Sequence, residues 1–280
     1  MKTKTLTLVF IIFSLHAISQ NNNYLKIGMG YGLPAFGQKT PYIKPSIQQM
    51  LYPDEVKFDA TYFSLGNGVY ANVSWGHLIN KNVSFELGLG YEYGIKIKRM
   101  EIQTNSPDSI TDQMFSYQSK MFYICPSLVF KTDFEKINPY ARIGMLIGKP
   151  SYTENIDITV ESYMGQIPEN IVTEYNGGIG LGINSALGVD VKLSDKMIFY
   201  AECNIIDMTY APKKSEITTY QINNVDRLQN LPMRDKEIEY VYLYEDVASQ
   251  TNNQDQPKKE LKFKMPYGSV GANIGIKMRF

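Results

Sequence analysis

The chain is poor in the residues from which enzymes build reactive sites. It has two histidines, His16 and His77, two cysteines, Cys125 and Cys203, and one tryptophan, Trp75. Only His77 lies beyond the apolar N-terminal stretch, so neither a clustered His or Cys metal site nor a Ser-His-acid relay finds its residues here. No catalytic residue, cofactor or metal is assigned, and no enzymatic activity is expected. Excess charge of either sign is also missing, with 28 basic against 28 acidic residues. A nucleic-acid surface needs a basic stripe to replace phosphate counterions, so that class of partner is excluded. Beyond residue 20 there is no run of eighteen apolar residues, so no later segment is expected to cross a membrane as a helix. The Gly-x-Gly-x-Gly runs starting at Gly28 and Gly178 have no helix after them, and read as glycines of a strand rather than a phosphate cradle.

What the chain does have is period-two patterning. From Val83 to Lys98 every second residue is apolar: Val83, Phe85, Leu87, Leu89, Tyr91, Tyr93, Ile95 and Ile97. Between them stand Ser84, Glu86, Gly88, Gly90, Glu92, Gly94, Lys96 and Lys98. Side chains of a strand alternate between two faces, so this is an extended segment with one greasy and one polar face. Its length exceeds the roughly 5 to 6 residues of ordinary strands and covers the roughly 9 to 11 that cross a bilayer at a tilt.

The N-terminus reads as a secretory signal. Lys2 and Lys4 precede the apolar stretch Leu6 to Leu15, and Ala17 and Ser19 are small residues at the positions read by a signal peptidase, with Gln20 first in the mature chain. Residues 1–19 are expected to be removed, leaving 20–280 as one domain. Losing Lys2 and Lys4 lowers the basic residues from 28 to 26 against 28 acidic ones, which keeps the mature chain near neutral.

Eight stretches carry the alternation: Tyr24 to Gly32, Phe63 to Leu78, Val83 to Lys98, Phe115 to Phe130, Asn138 to Lys149, Gly178 to Lys192, Met197 to Tyr210 and Tyr267 to Phe280. Links after the second, fourth and sixth are short, whereas residues 33–62, 99–114, 150–177 and 211–266 form long loops. That alternation of links predicts an all-β, eight-stranded, antiparallel, up-and-down transmembrane barrel, with short turns and both chain ends on the periplasmic side. Closure is required because an open sheet edge in lipid leaves unpaired backbone groups. Pro126 falls inside the fourth strand, where a bulge or slip of frame is expected. Cys125 faces inward and Cys203 outward, so both are expected to be free thiols.

These features, and above all the final strand ending in Ile276, Met278 and Phe280, resemble the OmpA/OmpX-like eight-stranded outer-membrane barrels, including the porin-family barrels common in Bacteroidota. The resemblance covers residues 20–280. It implies location in the cell outer membrane, contact with its lipid, and a C-terminal aromatic signal read by the barrel-assembly machinery, which maps onto Ile276, Met278 and Phe280.

In such a barrel the greasy face meets lipid. Trp75, Phe85, Phe130, Phe199 and Phe280 fall toward the short turns, and Tyr31, Phe63, Tyr91, Tyr93 and Phe122 toward the long links, as two aromatic girdles would. A soluble sandwich is the alternative, with a second sheet over that face. The inward face collects Lys26, Glu86, Glu92, Lys96, Lys98, Arg142, Asp190, Lys192, Glu202, Lys277 and Arg279. Eight strands enclose only enough room for side chains, so these charges are expected to pair as a polar plug, with a narrow or gated pore as the sharper alternative. The function read from this is structural or porin-like. A surface-exposed adhesion or partner-binding role through the long loops, or membership of a secretion system, stands as the alternative. Glu237 to Tyr244 alternates and is expected to extend the last two strands above the membrane.

Overall fold

The computed structural model describes residues 22–37, 55–60, 63–106, 109–163, 165–243 and 254–280. Residues 1–19, expected to be a signal segment, lie outside them. The described residues are nearly all β and mostly antiparallel, with sixteen strands in one sheet. They are β1 (Asn23–Ala35), β2 (Glu55–Ala60), β3 (Gly68–Leu78), β4 (Val83–Gly94), β5 (Ile97–Ser106) and β6 (Ser109–Lys131). Then come β7 (Ile137–Ser162), β8 (Gly165–Asn176), β9 (Gly180–Lys192), β10 (Met197–Tyr210) and β11 (Lys214–Ile222). The last are β12 (Val225–Asp226), β13 (Glu237–Val241), β14 (Lys258–Leu261), β15 (Met265–Pro266) and β16 (Gly268–Arg279).

Eight of these strands pair in a cycle. Antiparallel ladders run from β6 to β7, β9, β10, β16, β1, β3, β4 and back to β6. The first and last strands are joined by the β1–β16 ladder, from Tyr24 opposite Arg279 to Ala35 opposite Gly268. Short turns gather at one end of the cycle. In the first, the Asn80 side-chain oxygen accepts the N–H groups of Asn82 and Val83, both at 2.8 Å, which is how an asparagine fixes a tight turn.

Eight strands were expected, and the count is a correction. The long links are not loops: they contain β2, β5, β8 and β11 to β15. Above the cycle these strands flank the far ends of β6 and β7 in the order β2, β5, β6, β7, β8, β11, β13, β14, a sheet whose two edges are β2 and β14. The Glu237 stretch is a strand, but β13 pairs with β11 and, in parallel, with β14 rather than extending β10 or β16.

Two further expectations about local geometry fail. No bulge forms at Pro126: it stands opposite Leu87 in an unbroken β4–β6 register. On the β7 side pairing pauses after Ile124 opposite Ile147 and resumes with Ser127 opposite Gly144 in the same frame. The missing N–H therefore interrupts one ladder without shifting it. Phe63, expected to face outward, is buried, and so is Leu65 on the same parity. β3 starts only at Gly68, and Gly66-Asn67-Gly68 breaks the frame, so the parity counted back from Trp75 does not reach them.

The faces of the cycle are inverted relative to a water-soluble sheet. In β4, Leu87, Leu89, Tyr91 and Tyr93 are 41 to 45% exposed, whereas Glu86 and Glu92 on the opposite parity are each 2% exposed. The same parity holds for Ile27 and Met29 in β1, Leu181 and Leu187 in β9, and Ile274 and Ile276 in β16, all exposed while their neighbours point in. Cys125 is buried, Cys203 is exposed, and both are free.

Candidate functional site

The inward face is assembled from alternate residues of all eight cyclic strands, so charges far apart in sequence meet at its centre. Glu202 of β10 is the hub. Its Oε2 lies 3.0 Å from Lys26 Nζ and accepts the Tyr140 hydroxyl at 2.7 Å. Its Oε1 lies 3.1 Å from Arg142 Nη2 and accepts Asn273 Nδ2 at 2.9 Å. Four donors fill the roughly four acceptor positions of an ionised carboxylate. Arg142 also donates to Asn184 Oδ1 at 3.2 Å. Lys26 reaches Glu86 at 3.7 Å, and Glu86 accepts the Tyr24 hydroxyl at 2.7 Å. A second centre holds Lys277 Nζ 2.9 and 3.0 Å from the two carboxylate oxygens of Asp190. Aromatic faces complete the cradle, with Lys26 Nζ 4.4 Å from the Tyr200 ring centre and Lys277 Nζ 4.3 Å from that of Tyr140.

Three cations, Lys26, Arg142 and Lys277, thus meet three carboxylates, Glu86, Asp190 and Glu202. Buried charge is tolerated when paired and hydrogen-bonded in this way. Of the other residues read as inward, Glu92 is buried apart from the network, opposite Tyr70 and Met121, and its Oε2 meets no donor among the described residues. Arg279 is half-buried at the short-turn end, where it lines a cavity of about 210 Å³ with Lys131 and Asn138. Lys96, Lys98 and Lys192 are corrections. β4 ends at Gly94, so Lys96 falls in the bend before β5 and is exposed. Lys98 is also exposed and pairs with Glu101. Lys192 closes β9 and turns out to Asp195 at 2.8 Å. Ile276, Met278 and Phe280 all face outward, and the Phe280 N–H donates to the Asn23 carbonyl at 3.1 Å.

The tyrosines and amides of the network were not singled out from the sequence, although parity alone places Tyr24, Tyr140, Tyr200, Asn184 and Asn273 on the polar face. The readable signal was glycine. Tyr24 lies over Gly76, where an added Cβ would stand 2.2 Å from Tyr24 Cζ, and Tyr123 lies over Gly90 at the same distance. Gly76→Val is accordingly expected to displace Tyr24 from Glu86 and to cost about 1–3 kcal/mol, read as a lower midpoint of heat-induced unfolding in detergent.

Neither a protein-family model nor a curated sequence matches the chain. Among solved structures it is similar to Acinetobacter baumannii CarO2, at 12% identity and a TM-score of 0.32, over 92% of this chain and 98% of that one. It is also similar to the translocator domain of the autotransporter NalP from Neisseria meningitidis, at 8% identity and a TM-score of 0.20, over 100% of this chain and 95% of that one.

Beyond the ionic centre, toward the long links, the interior becomes apolar. Phe63, Leu65, Met121, Leu146, Ile206, Met208, Met265 and Tyr267 pack together there. Two short segments are tied across this end. Ser64 Oγ accepts the Gly268 N–H and donates to its carbonyl, both at 2.7 Å, and the Leu65 N–H donates to Pro266 at 2.9 Å. Ser119 Oγ then donates to the Leu65 carbonyl at 2.6 Å. The packing continues upward as a run of rings, Phe63, Tyr117, Tyr152, Tyr175 and Tyr240, in which Tyr152 and Tyr175 stack at 4.4 Å. Glu154 accepts the hydroxyls of both Tyr117 and Tyr175. Burial and that carboxylate together hold the Tyr175 hydroxyl well above its ordinary pKa, so it stays a donor. Between the ionic centre and the aromatic cap, a cavity of about 20 Å³ remains, lined by Lys26, Tyr70, Arg142 and Glu202. That is room for roughly one water molecule.

Proposed function

We propose that the protein is an outer-membrane β-barrel of eight transmembrane strands whose lumen is sealed and whose work is done by the β-sheet it carries above the membrane. One observation supports this most: apolar side chains exposed around the outside of a closed cycle of ladders, with paired charges inside it. Water on the outer face would be a poor solvent for that arrangement, whereas lipid suits it. Strand length agrees with it. β6 has 23 residues and β7 has 26, where a tilted strand needs roughly 9–11 to span the bilayer. Their remainder, with β5, β8 and β11, would stand in water. Short turns and both chain ends would then lie in the periplasm, and Ile276, Met278 and Phe280 would serve as the signal to the assembly machinery.

The sealed interior favours a structural or partner-binding role over passive transport, and the reading assigns the protein no reaction of its own. An extracellular partner would meet the β-extension. Reconstituted into a planar bilayer, the protein is expected to give flat current traces, and Glu92→Ala or Arg142→Ala should leave them flat. Discrete conductance steps in the unaltered protein would overturn the sealed-lumen reading. Fractionation with the outer membrane and a heat-modifiable shift on a gel test the barrel itself. A protein that remained in the periplasmic fraction without detergent would refute it.

A further inference from the structure

On β6 and β7 the outward face changes character at one level. Phe122 and Ile124, with Met145 and Ile147 beside them, belong to the apolar band; the next outward positions upward are Lys120 and Lys149. Phe122 stands opposite Lys149 and Lys120 opposite Ser151, so the two lysines are diagonal neighbours with Cα atoms about 7–8 Å apart. Both are exposed, and neither makes an ion pair among the described residues. Lys120 Nζ lies 5.8 Å from the ring centre of Tyr93 on the neighbouring strand. Directly above, on the same face, Gln118, Ser151, Thr153, Glu174 and Asn176 line a cleft of about 60 Å³.

Two adjacent cations, neither of them ion-paired although Lys120 lines the same cleft as Glu174, repel one another and favour a shared anion. Their height selects its source. An anion resting on Lys120 and Lys149 sits at the top of the apolar band, where a lipid head group meets its chains. The cleft above offers hydroxyls, amides and one carboxylate, which suit the hydroxyls of a sugar and disfavour a second negative charge. We propose that Lys120 and Lys149 hold the phosphate of a phosphorylated saccharolipid of the outer leaflet, with an acyl chain against Phe122 and the sugar in the Gln118–Asn176 cleft. This rests on the transmembrane reading above and names the lipid that this flank of the barrel meets.

The test uses the full mature protein in detergent micelles, titrated by native mass spectrometry with a glucosamine lipid carrying one phosphate and with the same lipid lacking it. The phosphorylated lipid is expected to bind about thirtyfold more tightly, the worth of two lysine–phosphate contacts. K120Q/K149Q should lose that preference, and K120R/K149R should keep it. Equal affinity for the two lipids would overturn the proposal, as would an unchanged preference in K120Q/K149Q. Displacement by inorganic phosphate at concentrations equal to the lipid would also overturn it, because the site would then be a plain anion site. Every variant is run beside a heat-modifiability gel. Loss of the gel shift in the unaltered protein would remove the membrane reading, whereas a normal shift without lipid discrimination would remove only the saccharolipid site.

Discussion

Glu202→Ala is expected to destabilise the folded protein by about 3–5 kcal/mol, the cost of removing one partner from a buried ionic group. The size follows from the hub geometry. Lys26 loses its 3.0 Å partner and keeps only Glu86 at 3.7 Å, while Arg142 loses its carboxylate altogether. In the same step the Tyr140 hydroxyl loses its acceptor, and the Asn273 amide keeps only the Tyr200 hydroxyl at 3.3 Å. Glu202→Gln keeps the volume but offers one acceptor oxygen where two now serve four donors, so it should recover only part of the loss. Urea unfolding in lipid vesicles, followed through the fluorescence of the single tryptophan, measures both variants. A change below about 1 kcal/mol for Glu202→Ala would mean that the network does not hold the barrel in shape.

The second large effect separates lipid from water on the outer face. Leu89 is 41% exposed and lies midway along β4, opposite Val73 and Ile124. On a water-facing surface, Leu89→Arg would change stability by no more than about 0.5 kcal/mol. At the middle of a bilayer it should cost about 2–4 kcal/mol. Ile110 is the control, because its exposure of 40% is nearly the same, yet it sits at the far end of β6 opposite Glu161, well above the band. Ile110→Arg is expected to be near neutral. If the two substitutions gave equal effects, the outer face would not be lined by lipid at Leu89.

The parity of the cyclic strands was legible because their two faces meet different surroundings. Val83 to Tyr93 alternates cleanly for that reason, and Met197 to Tyr210 was placed with its observed bounds. Parity misleads where a strand ends inside an alternating run. Gly94-Ile95-Lys96-Ile97-Lys98 continues the pattern on paper, but the Ile95 N–H leaves the ladder for the Asn67 carbonyl. Pairing with β6 stops at Tyr93 opposite Lys120 and resumes at Ile97 opposite Tyr117, one residue out of register, which turns Ile97 toward the core and Lys98 outward. Lys96 and Lys98 therefore read as interior when they are exposed. The extension is less legible because its two faces meet similar surroundings: Ile156, Ile158 and Val160 of β7 alternate with Asn155, Asp157, Thr159 and Glu161, yet every residue from Thr153 to Ser162 is half-buried. Within the network, Glu202, Arg142 and Lys26 stood out as charges on a polar face. Tyr140 and Tyr200 did not, since tyrosine suits either face. Phe63 and Leu65 show the opposite limit, as apolar residues that cap the interior because a Gly-Asn-Gly break separates them from β3.

Trp75 gives the most direct measurement. It is the only tryptophan of the chain, and it points outward from β3 between the inward Ser74 and Gly76. Reconstituted into vesicles whose acyl chains carry bromine, the protein should lose most of its tryptophan emission, and the same emission should resist iodide added to the water. Emission that is quenched by iodide and indifferent to brominated chains would contradict a lipid-lined outer face.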